Sequence, residues 1–193
     1  MSGDIEAEPV VLSEVFGQGY DCFLRNTTQF ECIKGGRGSK KSATMALRTI
    51  IRIMNYPDAN MLVVRRVYGT LKDSCFANLL WAIDRLKVTK YWKINTNPLL
   101  LTYLPTGQQI LFRGLDDPLK ITSITVRRGR LCWVWVEEAY EITDPESFRK
   151  LEMSIRGSLP PGLFKQFTFT FNPWRENWIK ERFFDHPSEN VFT

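Results

Sequence analysis

The chain has 193 residues, 44% hydrophobic and 24% charged, with 26 Lys plus Arg against 21 Asp plus Glu and a formal net charge of +5. Those proportions exclude a wholly disordered chain and suit one compact domain. The longest apolar run, Leu131–Val136, falls far short of the roughly 20 residues of a membrane-spanning helix, and the acidic start at Asp4, Glu6 and Glu8 is not that of a secretory or transit leader.

Residues 1–28 read as a leader and 29–193 as one domain. Gln29–Lys34 is expected as a strand, followed by a Gly-rich loop and a helix whose apolar stripe is Leu47, Ile50, Ile51 and Met54. Met61–Val64 is the next strand, and Phe76, Leu79, Leu80, Ile83 and Leu86 mark a longer helix. Leu99–Leu104 and Gln108–Phe112 flank Pro105, Thr106 and Gly107, which predicts a hairpin decorating the main sheet. The uninterrupted apolar run Leu131–Val136 predicts a strand covered on both faces, as in a parallel sheet. Phe167–Phe171, alternating Phe and Thr, is another strand; Trp174–Phe184 reads as a helix opened by Asn172 and Pro173, and Asn190–Thr193 begins a last strand. Strands and helices alternate, which makes the class α/β, with a mainly parallel sheet flanked by helices. Cys22, Cys32, Cys75 and Cys132 form no C-x-x-C pair and there is one histidine, His186. Buried thiols are therefore expected in place of a zinc site.

Residues 35–42 (Gly35, Gly36, Arg37, Gly38, Ser39, Lys40, Lys41, Ser42) fit G-x-x-x-x-G-K-[ST] with one departure, Lys40 in place of the second glycine. Glycines let backbone N–H groups turn toward phosphate oxygens, and the helix that follows points its positive dipole end at them. Lys41 would reach the β- and γ-phosphates and Ser42 would give Mg²⁺ a hydroxyl ligand. Lys40 either crowds the nucleotide or adds a phosphate contact. Arg37 is either an arginine finger, acting in cis or toward a neighbouring subunit, or a solvated loop residue.

Glu137 and Glu138 follow the buried strand, at the sheet edge where ligands of open α/β folds bind. In that setting Glu137 would hold Mg²⁺ through water and Glu138 would orient and deprotonate the attacking water; with no phosphate loop nearby, two acids simply ending a strand would be the reading. Glu141 reads as a surface charge. Thr170 and Asn172, at the end of the Phe/Thr strand, are either a coupling element that senses the γ-phosphate or the start of an ordinary Asn-Pro turn. Arg65, Arg66, Lys120, Arg127, Arg128 and Arg130 contact a DNA backbone or a neighbouring subunit, or form a solvated face. Trp133 and Trp135 are expected in the core.

Taken in chain order, the phosphate loop, the Glu-Glu strand and the Thr-x-Asn-Pro strand resemble the ATPase domain of tailed-bacteriophage terminase large subunits. Phe112–Lys120, Trp135–Ala139, Phe171–Pro173 and Asn177–Phe184 carry further resemblance. It implies a P-loop NTPase of the additional-strand, catalytic-glutamate class that uses ATP and Mg²⁺. It also implies a ring of self-associated copies on the portal protein, working with the terminase small subunit, that drives double-stranded DNA into the prohead in the host cytoplasm, away from any membrane. The family's nuclease domain is expected to be missing from this chain, and adenine would be held within residues 16–25. Thr122 and Ser123 stand where relatives often have another lysine. The alternatives are a helicase-like P-loop ATPase and a catalytically silent nucleotide-binding assembly module.

Overall fold

The computed structural model describes residues 16, 21–116, 124–155, 157–172, 177–186 and 188–193. Residues 1–15 and 17–20 of the leader, residues 117–120 of the resembling stretch, Thr122 and Ser123, and Pro173–Glu176 lie outside the described residues. The elements run α1 (Asp21–Arg25), β1 (Phe30–Lys34), α2 (Lys41–Asn55), β2 (Ala59–Arg65), α3 (Ala77–Arg85), β3 (Trp92–Thr96), β4 (Leu99–Tyr103), β5 (Gln109–Gly114), β6 (Arg130–Glu137), α4 (Pro145–Ser154), β7 (Gln166–Phe171), α5 (Trp178–Lys180) and β8 (Val191–Phe192).

All eight strands form one sheet in the order β3-β4-β5-β2-β6-β7-β1-β8. From β5 to β8 every pairing is parallel; β3, β4 and β5 are antiparallel neighbours. One face packs with α2 and α3 around Leu47, Ile50, Leu79, Ile83, Met61, Trp133 and Trp135. The other packs with α4 and α5 around Phe148, Leu151, Ile179, Val134, Val136, Phe167, Phe169 and Phe171. Coverage on both faces is what the continuous apolar run of β6 requires, since neither side of that strand could meet water without exposing large apolar side chains. Among the described residues, no helix is long and apolar enough to cross a membrane.

Several expectations are corrected. The second arm of the expected hairpin, β5, is built into the parallel sheet beside β2 instead of decorating it. A third antiparallel strand, β3, precedes it; its exposed Lys93 and Ile94 are the mark of an edge strand. The helix expected to begin at Trp174 begins at Trp178, because Asn177 is extended (φ −151°, ψ 177°) and caps it by accepting from Ile179 N. Helix α4 was not anticipated, although Asp144 caps it through Glu146 N and Ser147 N and Pro145 opens it, a recognised start signal. Cys32, Cys75 and Cys132 are buried but Cys22 is exposed.

Strand β7 alternates in meaning as well as in sequence. Phe167, Phe169 and Phe171 enter one core, while Gln166, Thr168 and Thr170 face α2 and are equally buried. The partners of Gln166 and Thr168 come from α2, where Arg48 and Arg52 lie one turn apart on the sheet-facing side. Arg48 Nη1 donates to Glu31 Oε1 (2.9 Å) and Nη2 to Glu31 Oε2 (2.5 Å) and Thr168 Oγ1 (2.9 Å). Thr168 Oγ1 in turn donates to Glu31 Oε2 (2.9 Å). Arg52 donates to Gln166 Oε1 (2.6 Å) and to the Asn26 carbonyl (2.6 Å). Burial pulls both guanidinium pKa values down, and the charge of Glu31 opposes that. The network also reaches the segment before β1: Arg48 donates to the Phe23 carbonyl (2.9 Å), and Asn26 Nδ2 donates to Glu31 Oε1 (2.7 Å).

Truncating Arg48 strands a buried carboxylate, so Arg48→Ala is expected to cost about 3–5 kcal/mol in urea unfolding. The apolar pair Arg48→Met with Glu31→Leu is expected to recover most of that loss, because it removes both charges together; equal losses in the single and double variants would show that the pairing is not the source.

Candidate nucleotide site

Strands β1, β7 and β6 end together. Lys34 pairs with Phe171 and Glu137 pairs with Thr170, so the Gly-rich loop, Asn172 and the two glutamates leave the sheet at one edge. The Gly35 N–H donates to the Phe171 carbonyl (3.2 Å), which ties the start of the loop to β7. Gly38 turns the loop at φ +82°. Lys40 then enters α2 in the left-handed conformation (φ 60°, ψ 14°), which is why glycine suits this position: an L side chain there costs roughly 1–2 kcal/mol. The Lys40 side chain is exposed. No side chain caps α2 and its first turn holds no acid, whereas Asp144 and Asn177 cap α4 and α5. The N–H groups at the start of α2 therefore keep the positive field that favours anions.

Lys41 folds its ammonium back over the loop. Nζ lies within donating distance of Gly35 O (2.6 Å), Gly36 O (3.2 Å), Ser39 Oγ (3.2 Å) and Asn172 Oδ1 (2.8 Å). The last contact joins the phosphate loop to the end of β7.

Ser42 Oγ donates to Glu137 Oε1 (2.5 Å). The other oxygen of Glu137 accepts from Trp135 Nε1 (3.1 Å) and from Thr170 Oγ1, and Trp135 Nε1 also reaches Thr170 Oγ1 (2.7 Å). Burial raises the Glu137 pKa; hydrogen bonds from Ser42, Thr170 and Trp135 pull it down, and the charge of Glu138 adds to the rise. Glu138 is half-buried and left-handed (φ 49°, ψ 46°), and its carboxylate has no polar partner among the described residues. A non-glycine residue held there stores strain of about 1–3 kcal/mol, a feature that concentrates at functional positions.

Lys41, Ser42, Glu137, Thr170 and Asn172 are thus brought into one hydrogen-bonded group, while Arg37 is exposed and makes no polar contact among the described residues. Of the two coupling candidates, Asn172 meets the loop and Thr170 meets Glu137 and Trp135. Glu141 is more than a surface charge: it accepts from Arg65 Nη2 (2.9 Å), and Arg65 also donates to Ser74 Oγ (3.3 Å). Arg65 is thereby engaged within the chain, tethering the turn after Glu138. Arg66, Arg127, Arg128 and Arg130 are exposed, with Arg128 paired to Asp58 (3.2 Å); Lys120 lies outside the described residues. Trp133 and Trp135 are in the core as expected. The polar role of the Trp135 indole was missed, although its position two residues before Glu137 on a strand places both on one face.

The family described as "Phage terminase large subunit" matches residues 27–191. The chain belongs to that family. It is 41% identical over 154 residues to the terminase large subunit of Bacillus phage SPP1, a match covering 78% of this chain and 36% of the relative. It is 31% identical over 156 residues to the PBSX phage terminase large subunit of Bacillus subtilis (strain 168), covering 80% of this chain and 34% of that protein. The chain thus spans about a third of the length of these curated terminases. The fold resembles the large terminase of the thermophilic bacteriophage D6E with a TM-score of 0.66 at 14% identity, over 88% of this chain and 40% of that one. Other crystals of the D6E terminase hold ADP or ATP-γ-S.

The strained residue at the loop–helix junction offers a direct check on the terminase loop. Lys40→Gly is expected to raise stability by about 0.5–1 kcal/mol, the relief of left-handed strain less the added freedom of the unfolded glycine. A fall in the urea midpoint would show that Lys40 is not held left-handed.

Proposed function

We propose that this chain is the ATP-hydrolysing part of a terminase large subunit, the motor that drives double-stranded DNA into a prohead. The observation that carries the reading is the group formed at one sheet edge by Lys41, Ser42, Glu137, Thr170 and Asn172, beside an uncapped helix start. The nucleotide complexes of the D6E protein support it by fold. Phosphates would lie over the loop 35–40 and the first turn of α2, with Lys41 exchanging its loop oxygens and Asn172 for phosphate oxygens. Adenine would lie on the side of residues 16–25, where Arg48 holds the Phe23 carbonyl.

The donor set fits Mg²⁺, a hard cation that favours oxygen: a serine hydroxyl and a carboxylate oxygen meet at 2.5 Å. When bound, the ion supplies charge neutralisation at the β- and γ-phosphate oxygens. Ser42 and Glu137 would hold it, Glu137 through water. Glu138, at the end of the strained turn, would orient the attacking water and take its proton. Asn172 would report loss of the γ-phosphate to β7 by regaining Lys41. Arg37, exposed and without a polar contact among the described residues, would stabilise charge on the transferred group, in this copy or the next around a ring. The portal protein, the terminase small subunit and further copies of this chain are the partners of this reading, in the host cytoplasm.

Lys41→Ala is expected to lose both ATP binding and turnover, and Glu138→Gln to keep binding while turnover falls at least about 100-fold. Steady-state phosphate release with parallel titration of a fluorescent nucleotide measures both. Turnover that survives Glu138→Gln would overturn the assignment of the base. Binding without turnover in the unmodified chain would favour the silent assembly module, a reading to which the uncontacted Glu138 and Arg37 lend an observation.

A further inference from the structure

We propose that Trp135 is a positioning residue for the metal-holding carboxylate, its indole N–H holding one oxygen of Glu137 so that the carboxylate is oriented with its other oxygen toward Ser42. The inference rests on the reading of Ser42 and Glu137 as the Mg²⁺ holders. Glutamate is one methylene longer than aspartate, so its carboxylate has a further torsion to fix before an oxygen can be presented to the loop. Two donors fix it here. Trp135 lies two residues upstream on β6 and so shares the face of Glu137, and Thr170 stands directly across on β7. Both donate to Oε2, the indole at 3.1 Å, which leaves Oε1 turned to Ser42 at 2.5 Å.

The indole contact is not a by-product of burying a tryptophan. Trp92 and Trp133 are buried in the same core, and their indole nitrogens have no hydrogen-bond partner among the described residues. The Trp135 nitrogen has two, Glu137 and Thr170. The ring is fully buried, so it gives the carboxylate a donor that cannot swing away. Outer-shell donors of this kind commonly change metal affinity 10- to 100-fold.

The test is a titration of the full chain with ADP, with and without Mg²⁺, read by calorimetry. The quantity of interest is the factor by which Mg²⁺ tightens ADP binding. Trp135→Phe, which removes the N–H and keeps a ring, is expected to reduce that factor about ten-fold. In a Glu137→Asp background, where the shorter carboxylate cannot span from Ser42 to the indole, Trp135→Phe is expected to add little. A reduction of the same size in both backgrounds, or none in the first, would overturn the proposal, because a merely structural tryptophan acts independently of the length of residue 137. Should Trp135→Phe fail to fold, benzothienylalanine at position 135 keeps the bicyclic ring without the N–H and is held to the same outcomes. If Mg²⁺ does not tighten ADP binding in the unmodified chain, the metal reading of Ser42 and Glu137 fails; if it does and Trp135→Phe leaves it unchanged, the failure is that of Trp135 alone.

Discussion

The buried ion pair between Arg48 and Glu31 is the constraint on which the arrangement of the site depends. A guanidinium and a carboxylate removed from water are costly, and they are tolerated because the two groups meet through two hydrogen bonds and add further bonds to Thr168, Asn26 and the Phe23 carbonyl, with Arg48 Nε left unpartnered among the described residues. A pair so specified has one geometry. It fixes α2 against β1 and β7, and the loop 35–40 becomes a short span between two immobilised ends. The position of Lys41 and Ser42 at the start of α2 follows from that anchoring more than from anything inside the loop.

The second consequence is electrostatic. By inserting between β1 and β6, strand β7 brings the phosphate loop and the glutamates to the same edge, and its polar side supplies a hydroxyl beneath each half of the group. Thr168 completes the Arg48–Glu31 pair and Thr170 completes Glu137. The opposite side of the same strand is phenylalanine throughout, so β7 joins the rigid core under α4 and α5 to the polar layer under α2. Lys41 donates to Asn172, one residue past the end of this strand.

Much of this was legible in the residues. The loop reads from its glycines and its Lys-Ser pair, β6 from an unbroken apolar run, and α2 from a stripe of spacing three and four. What escaped did so for identifiable reasons. Strand β3 is a short edge strand, and its five residues, Trp92–Thr96, carry an apolar/polar alternation that the reading passed over. Helix α4 announces itself by Asp144 and Pro145, a signal of capping that a search for apolar stripes passes over. Arg48 and Arg65 look like surface charges because sequence gives a charge no depth; only the fold shows that their partners lie on distant elements. The Phe/Thr alternation of β7 was read correctly as a strand, but its polar side lies beneath arginines, a fact that depends on α2 being there to cover it.

The order of the strands has a consequence for how the molecule is made. β1 has no pairing with β2, the next strand in the chain; its neighbours are β7 and β8. The segment that carries the phosphate loop therefore waits, during synthesis, until nearly all the described chain has emerged before it can join a sheet, while β2 to β5 and α3 can assemble from contacts close in sequence. On this topology the candidate nucleotide site is expected to form late in folding, closed by the same β1–β7 register that aligns its residues. Nucleotide present at that moment would bind the completed register and not its precursors, and so would draw the last step forward.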